Sequence, residues 1–298
     1  MYDLIIIGTG PAGLSASIYA ARYKINSITI GKLHGGTVTE AHLVENYPGV
    51  GEVTGIELGQ KMIDQAKRLG AEIVDGSVQK IVKNNGNFTV HTSENKYKTK
   101  RILLAMGAER RKLEIKGEDE FIGKGVAYCS TCDGPFFRNK TVVVVGGGNA
   151  AVTSAIYMGD IAEKVYLIYR GDELKAEPAW IEKLNVNKKI ETIYNANIEE
   201  ITGNGRVEKV KLDTGKPLEA DGVFVEIGST PNKALITDLG LETDEKGYIK
   251  VDSQKKTSAQ GVWAAGDITA GNFKFRQVVT AVGEGALAVY SVYLDTKK

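Results

Sequence analysis

The chain has 298 residues, 42% of them hydrophobic and 25% charged, with a formal net charge of +1. Its length exceeds the usual single-domain size and predicts two domains, or one interrupted by another; the balanced charge removes any electrostatic case for a nucleic-acid partner. The N-terminus enters a strand-like run without a basic leader, and no apolar stretch approaches the roughly 18 residues of a membrane span, so a soluble, cytoplasmic chain with no membrane partner is expected.

Residues 3–7, DLIII, form a continuous apolar run that stops at GTGPAG, and LSASIYAARY follows with small and apolar residues at helical spacing. This predicts strand, turn and helix. Gly8, Gly10 and Gly13 fit the G-x-G-x-x-G pattern. The first glycine permits the tight turn, the second lets backbone approach a pyrophosphate, and the third lets helix pack on strand. The arrangement recurs from Thr141: an apolar strand to Val145, a turn of Gly146, Gly147 and Gly148, and a small-residue helix with Ala151 in the third slot. Two dinucleotide-binding units are therefore predicted, too far apart to be halves of one sheet.

Near the C-terminus, GVWAAGD (Gly261 to Asp267) reads as a short buried strand, and residues 276–294 read as a long helix. Strand and helix thus remain after the second unit. The predicted fold class is α/β, with two Rossmann-like dinucleotide-binding domains, the second inserted into the first. Residues 1–113 and 243–298 make the outer domain and 114–242 the insert, with joins in charged, glycine-containing stretches near 112–116 and 240–246. The clusters ERRK (Glu109 to Lys112) and KYKTKR (Lys96 to Arg101) read as solvated surface, and Phe136 and Phe137 as core residues entering the next strand.

The only two cysteines, Cys129 and Cys132, sit as C-x-x-C within YCSTCDGPFF. Zinc and iron–sulfur sites need about four ligands. With three histidines, none at ligand spacing, no metal is expected. A pair of idle buried cysteines is the plain alternative; a dithiol–disulfide couple is the preferred reading, because two intervening residues let the sulfurs meet in a small ring. Asp133 directly follows and can serve either as a proton carrier or as a turn-former before Gly134.

With these pieces in order, the sequence resembles the low-molecular-weight thioredoxin reductases over essentially its whole length. IIIGTGPAG is similar to that family's FAD pyrophosphate loop, VENYPG (Val44 to Gly49) to its flavin-side segment, and YCSTCDG to its active-site disulfide. GGGNAA is similar to its pyridine-nucleotide loop, AAGD to the segment whose Asp267 would hold the ribityl chain, and RQVVTAVGEG to the helix over the flavin. The resemblance implies FAD contacts from Gly8, Gly10, Pro11, Ala12, Gly13, Gly35, Gly36, Thr37, Asn46, Ala105, Gly107, Gly266, Asp267, Arg276, Gln277 and Ala281. It implies NAD(P)H contacts from Gly146, Gly148, Asn149, Ala150, Ala151, Arg170 and Lys175. It makes Cys132 the flavin-proximal sulfur, Cys129 the one that attacks the substrate, and Asp133 the acid/base. It further implies a homodimer, a thioredoxin-like partner and a rotating insert.

Two departures stand out. In the donor site, YRGDELK keeps one guanidinium (Arg170), has Gly171 where relatives carry a second, and has Lys175 for a third cation. Lysine is a poorer match than arginine for fork-like phosphate recognition. NADPH is the expected donor, with NADH through Asp172, ferredoxin or a deazaflavin as alternatives. In the FAD site, Thr37 replaces a common Gln, and ITIGK ends its strand without an acidic residue for the ribose. Two further readings stay open: a ferredoxin–nicotinamide oxidoreductase of the same architecture, and a redox-sensing flavoprotein without turnover.

Overall fold

The computed structural model describes residues 1–84, 86–215, 217–271 and 275–297. Their contacts form two compact units: Met1–Thr39, Val44–Glu109 and Thr230–Lys298 make the first, Glu40–Leu43 and Arg110–Ser229 the second. Among the described residues the α-helices are α1 (Pro11–Arg22), α2 (Gly55–Arg68), α3 (Ser130–Asp133), α4 (Asn149–Ile161), α5 (Pro178–Val186), α6 (Lys233–Asp238) and α7 (Val278–Thr296).

The first unit is built on a five-stranded parallel sheet in the spatial order Val262–Ala264, Ile102–Leu104, Leu4–Ile7, Ser27–Gly31, Glu72–Asp75. Leu4 pairs with Ser27 and Ile7 with Ile30, so the first strand ends level with its neighbour, where the glycine turn begins. Leu4, Ile5, Ile6 and Ile7 are all buried, because a parallel sheet covered on both faces hides both sets of side chains. A three-stranded antiparallel sheet (Val78–Asn84, Asn87–Thr92, Lys96–Thr99) adds Ile81, Phe88 and Val90 to the same core. On the sheet's other face α1 and α7 pack closely: a Cβ on Gly285 would lie 2.0 Å from the Ala12 carbonyl oxygen.

The second unit repeats the plan. Its parallel sheet runs Ile190–Tyr194, Lys164–Tyr169, Thr141–Val145, Gly222–Val225, Val126–Ala127, and its antiparallel sheet is Ile198–Thr202, Lys209–Leu212, Pro217–Glu219. The paired topologies are what two Rossmann-like units require.

Three expectations need revision. The contacts divide the chain at 109/110 and 229/230, not at 113/114 and 242/243. Residues 230–242 go with the first unit because Leu235 and Ile236 of α6, and Leu241 after it, sit in that unit's core. Phe136 is 77% exposed, whereas Phe137 packs edge-on against Phe224 at 5.2 Å. Helix α7, predicted as a long helix, has 19 residues and is long and apolar enough to cross a membrane by length and composition alone, against the expectation of no apolar stretch of that length. Its buried Glu284 and its small residues facing α1 account for it equally as a core helix.

Candidate active site and nucleotide cradles

In the first unit, Gly8 takes φ +118°, and a Cβ there would lie 2.2 Å from the Ala105 carbonyl oxygen. A Cβ on Gly13 would lie 1.9 Å from the Gly8 carbonyl oxygen. Turn and helix therefore approach at backbone distance. Gly10 caps α1 with no side-chain hydrogen bond and Pro11 follows, so the N–H groups of the first turn stay available to an anion. Gly35 and Gly36, both at positive φ, fold over this turn, held by the Gly35 N–H donating to the Thr9 carbonyl at 2.9 Å. Thr9 also sends its hydroxyl to the Leu33 carbonyl at 2.8 Å and fills the space above Gly31, the strand end without an acidic residue.

Gly266 lies against Ala12 and near Ala281. The adjoining Asp267 has its carboxyl pushed above the usual range by burial, opposed by Arg276 and reinforced by Glu284. Arg276 donates from Nε to the Asp267 carbonyl at 3.3 Å and sits 3.9 Å over the Tyr248 ring. Asn46 donates to Gln277 at 3.1 Å. Gly107 takes φ +64° in open space, and Thr37 lies in the 3-10 turn Gly36–Glu40.

Two residues the sequence reading missed complete this site. Glu284 accepts from the Gly266 N–H at 2.7 Å and the Thr269 hydroxyl at 3.2 Å, and pairs with Lys255 at 2.8 Å. Both partners of that ion pair are largely buried. A lone acidic residue on the small-residue face of a long apolar helix was the available signal.

The second unit's cradle is built alike. A Cβ on Gly146 would lie 2.2 Å from the Glu226 carbonyl oxygen and 2.9 Å from the Ala151 Cβ, whereas a Cβ on Gly148 would meet nothing within 4 Å. Gly148 caps α4 without a side-chain hydrogen bond, leaving the approach that a pyrophosphate needs. The loop after Tyr169 is strapped across this helix start: the Lys175 N–H donates to the Gly147 carbonyl at 2.7 Å. Asn149 and Glu177 exchange bonds of 2.9 and 2.7 Å. The Tyr169 ring occupies the space beside Gly147 and Gly171. Arg170 and Lys175 are exposed, without an ion pair among the described residues. Ala150 is exposed in the first turn of α4.

Cys129 and Cys132 form a disulfide, with Cα atoms 5.3 Å apart. Cys129 caps α3, its Sγ accepting from the Cys132 N–H at 3.1 Å. Cys132 is exposed and Cys129 half-buried. Burial holds the Asp133 carboxyl above the usual range. The fold therefore binds that proton more tightly than the unfolded chain, so the stability it contributes falls as pH rises past the ordinary carboxylate range. Asp133→Asn is expected to melt higher than the parent near pH 7, the gain vanishing near pH 3; thermal melts across pH check this.

ERRK is not a purely solvated run: Arg110 reaches both Glu40 and Glu226 within the second unit. The Thr131 hydroxyl, between the cysteines, donates to the Glu40 carbonyl at 2.8 Å.

The profile of the pyridine nucleotide-disulphide oxidoreductase family matches residues 2–285. The thioredoxin reductase of Treponema pallidum is 42% identical, over 99% of this chain and 98% of that protein. The thioredoxin reductase of Listeria innocua is 40% identical, over 97% and 92% respectively. The crystal structure of T. acidophilum thioredoxin reductase superimposes with a TM-score of 0.94 at 39% identity, covering 100% of this chain and 99% of that one.

Proposed function

The chain belongs to the pyridine nucleotide-disulphide oxidoreductase family as an FAD-dependent thioredoxin reductase, and on that premise we propose that it draws electrons from NADPH and passes them through Cys129 and Cys132 to a thioredoxin-like protein. The carrying observation is that the only two cysteines form a disulfide in the unit that also bears the open Gly148 cradle. FAD, when bound, supplies the two-electron carrier between a nicotinamide and a disulfide.

The first-unit residues fit that group. The uncapped start of α1 at Gly10 would take its pyrophosphate, Gly35 and Gly36 would wall the turn, and Asp267, whose backbone carbonyl accepts from Arg276, would take its ribityl hydroxyls.

Toward substrate, the Cys129 thiolate attacks one sulfur of the thioredoxin disulfide. A mixed disulfide forms and one substrate thiolate leaves, taking a proton from Asp133. The Cys132 thiolate then attacks the Cys129 sulfur, releasing the second substrate thiolate and restoring the Cys129–Cys132 bond. Two electrons thereby pass from the dithiol to the substrate.

Arg170 and Lys175, both exposed beside the strapped loop, supply positive charge for a 2′-phosphate. Arg170→Ala is expected to lower kcat/KM for NADPH about tenfold and leave that for NADH unchanged; equal losses for both would remove this assignment.

The homodimer is assigned to the outer face of α7, where Leu287, Tyr290 and Leu294 are exposed at helical spacing, with Tyr19 of the adjoining α1. A row of large exposed apolar side chains at that spacing marks an interface. Tyr290→Glu is expected to halve the mass seen by sedimentation equilibrium. A cytoplasmic setting suits a couple that must work as a dithiol.

The deciding experiment is anaerobic titration of the purified flavoprotein with NADPH and then NADH, following oxidised-flavin absorbance. Bleaching by NADPH in preference to NADH supports the proposed donor. If neither bleaches the flavin while dithionite does, the nicotinamide donor is wrong.

A further inference from the structure

The second unit holds two carboxylates almost wholly out of solvent, Glu118 at 1% and Glu226 at 7% exposure. A carboxyl group is buried at acceptable cost only where hydrogen-bond partners satisfy it, so the partners show what each one organises. Glu118 accepts from the Leu113 N–H at 2.8 Å, the Glu114 N–H at 2.7 Å and the Tyr128 hydroxyl at 2.7 Å. Glu226 pairs with Arg110 and accepts from the Ser154 hydroxyl at 3.1 Å. With its proton directed to Glu226, Ser154 has an oxygen free to accept from the Ser130 hydroxyl 2.8 Å away. Both serines are buried. Burial first, and then Glu118, keep the Tyr128 phenol above its usual range, so it remains a donor.

The two chains of contacts share both ends. Arg110, Leu113 and Glu114 lie in the stretch where the chain enters the unit, while Tyr128 and Ser130 are the residues directly before and after Cys129. The geometry points to Glu118 and Glu226 as positioning residues for the Cys129–Cys132 couple, clamping residues 128 and 130 in fixed register with the entry segment 110–114. The inference rests on the thioredoxin reductase reading. Among the described residues neither carboxylate bonds to a sulfur, and each acts through its neighbour.

The need for such clamps follows from the size of α3. Four residues are too few to hold a helix by themselves. While the couple is oxidised, the sulfur–sulfur bond closes the loop. Once it is reduced that bond is gone, and the thiols stay poised for each other only as far as residues 128 and 130 are held. Looser flanks lower the effective concentration of one thiol at the other and favour the dithiol.

The test uses the FAD-loaded enzyme carrying Tyr128→Phe and Ser154→Ala together, which remove two hydroxyls and no packing volume of consequence. The protein is equilibrated in graded glutathione buffers, and the reduced fraction of the couple is read by thiol alkylation. The expected result is a shift of about tenfold in the dithiol–disulfide equilibrium constant toward the dithiol, with a fall in kcat for thioredoxin and little change in KM. An unchanged equilibrium constant, with only a lower melting temperature, would overturn the inference and leave the carboxylates with a folding role. If the double variant does not fold, Tyr128→Phe alone carries the same reading. Parent enzyme inactive toward thioredoxin would sink the proposed function separately, since the glutathione equilibrium needs no thioredoxin.

Discussion

Cys132→Ser is expected to lower thioredoxin turnover by about three orders of magnitude or more while leaving the yellow flavoprotein folded and reducible. The physical reason is that a disulfide accepts or yields two electrons only as a pair. With one sulfur replaced by a hydroxyl, the mixed disulfide with substrate has no second thiolate to resolve it, and a serine hydroxyl does not ionise near neutrality. Cys132 is exposed and contributes no buried packing, so the variant loses chemistry and not the fold. Cys129→Ser is expected to abolish turnover equally, by removing the sulfur that attacks substrate. Steady-state assay with thioredoxin, beside dithionite reduction of the same preparations, separates the two effects. Turnover within tenfold of the parent in either variant would mean that electrons reach the substrate by another path, the behaviour expected of a nicotinamide–ferredoxin enzyme with incidental cysteines.

Gly13→Val and Gly148→Ala are expected to fail in opposite ways, although both alter a glycine turn. At Gly13 the added Cβ would lie 1.9 Å from the Gly8 carbonyl oxygen, backbone against backbone, with no flexible side chain to yield. Relief requires α1 to move off the sheet. A loss of about 3 kcal/mol in stability and purification without flavin are expected. At Gly148 the backbone is extended and nothing lies within 4 Å of the added methyl. The fold should be indifferent to it. The methyl would instead stand where a pyrophosphate must approach, so KM for the nicotinamide donor should rise with an unchanged melting curve. Melting and flavin absorbance for the first, and donor titration for the second, check the pair. A Gly13→Val protein that melts and binds flavin like the parent would contradict the packing described for α1.

Those two expectations rest on features that were legible in the sequence. A glycine demanded by close backbone approach leaves its mark in the chain itself, since only a residue without Cβ satisfies the contact, and the spacing of Gly8, Gly10 and Gly13 announces turn and helix together. The two cysteines three positions apart are likewise a local statement: the ring they close lies within α3 and its cap. The first strand of each glycine-turn unit was visible as a continuous apolar run, because strands covered on both faces do not alternate.

Other features depended on contacts between residues distant in the chain. Residues 230–242 fall inside the insert when its far join is read from the charged stretch near 240–246, and it is the seating of Leu235 and Ile236 that assigns them to the first unit. ERRK reads as solvated until Glu226, 116 positions later, is found against Arg110. Glu118, Glu226 and Lys255 carry no motif, and RQVVTAVGEG contains Glu284 without showing its partners, because a charged residue looks the same in sequence whether it meets water or a buried partner. Local covalent geometry thus determined the glycine turns, the strands and the dithiol. Burial of charge, settled by which distant donors arrive to satisfy each carboxylate, was decided only by the tertiary structure.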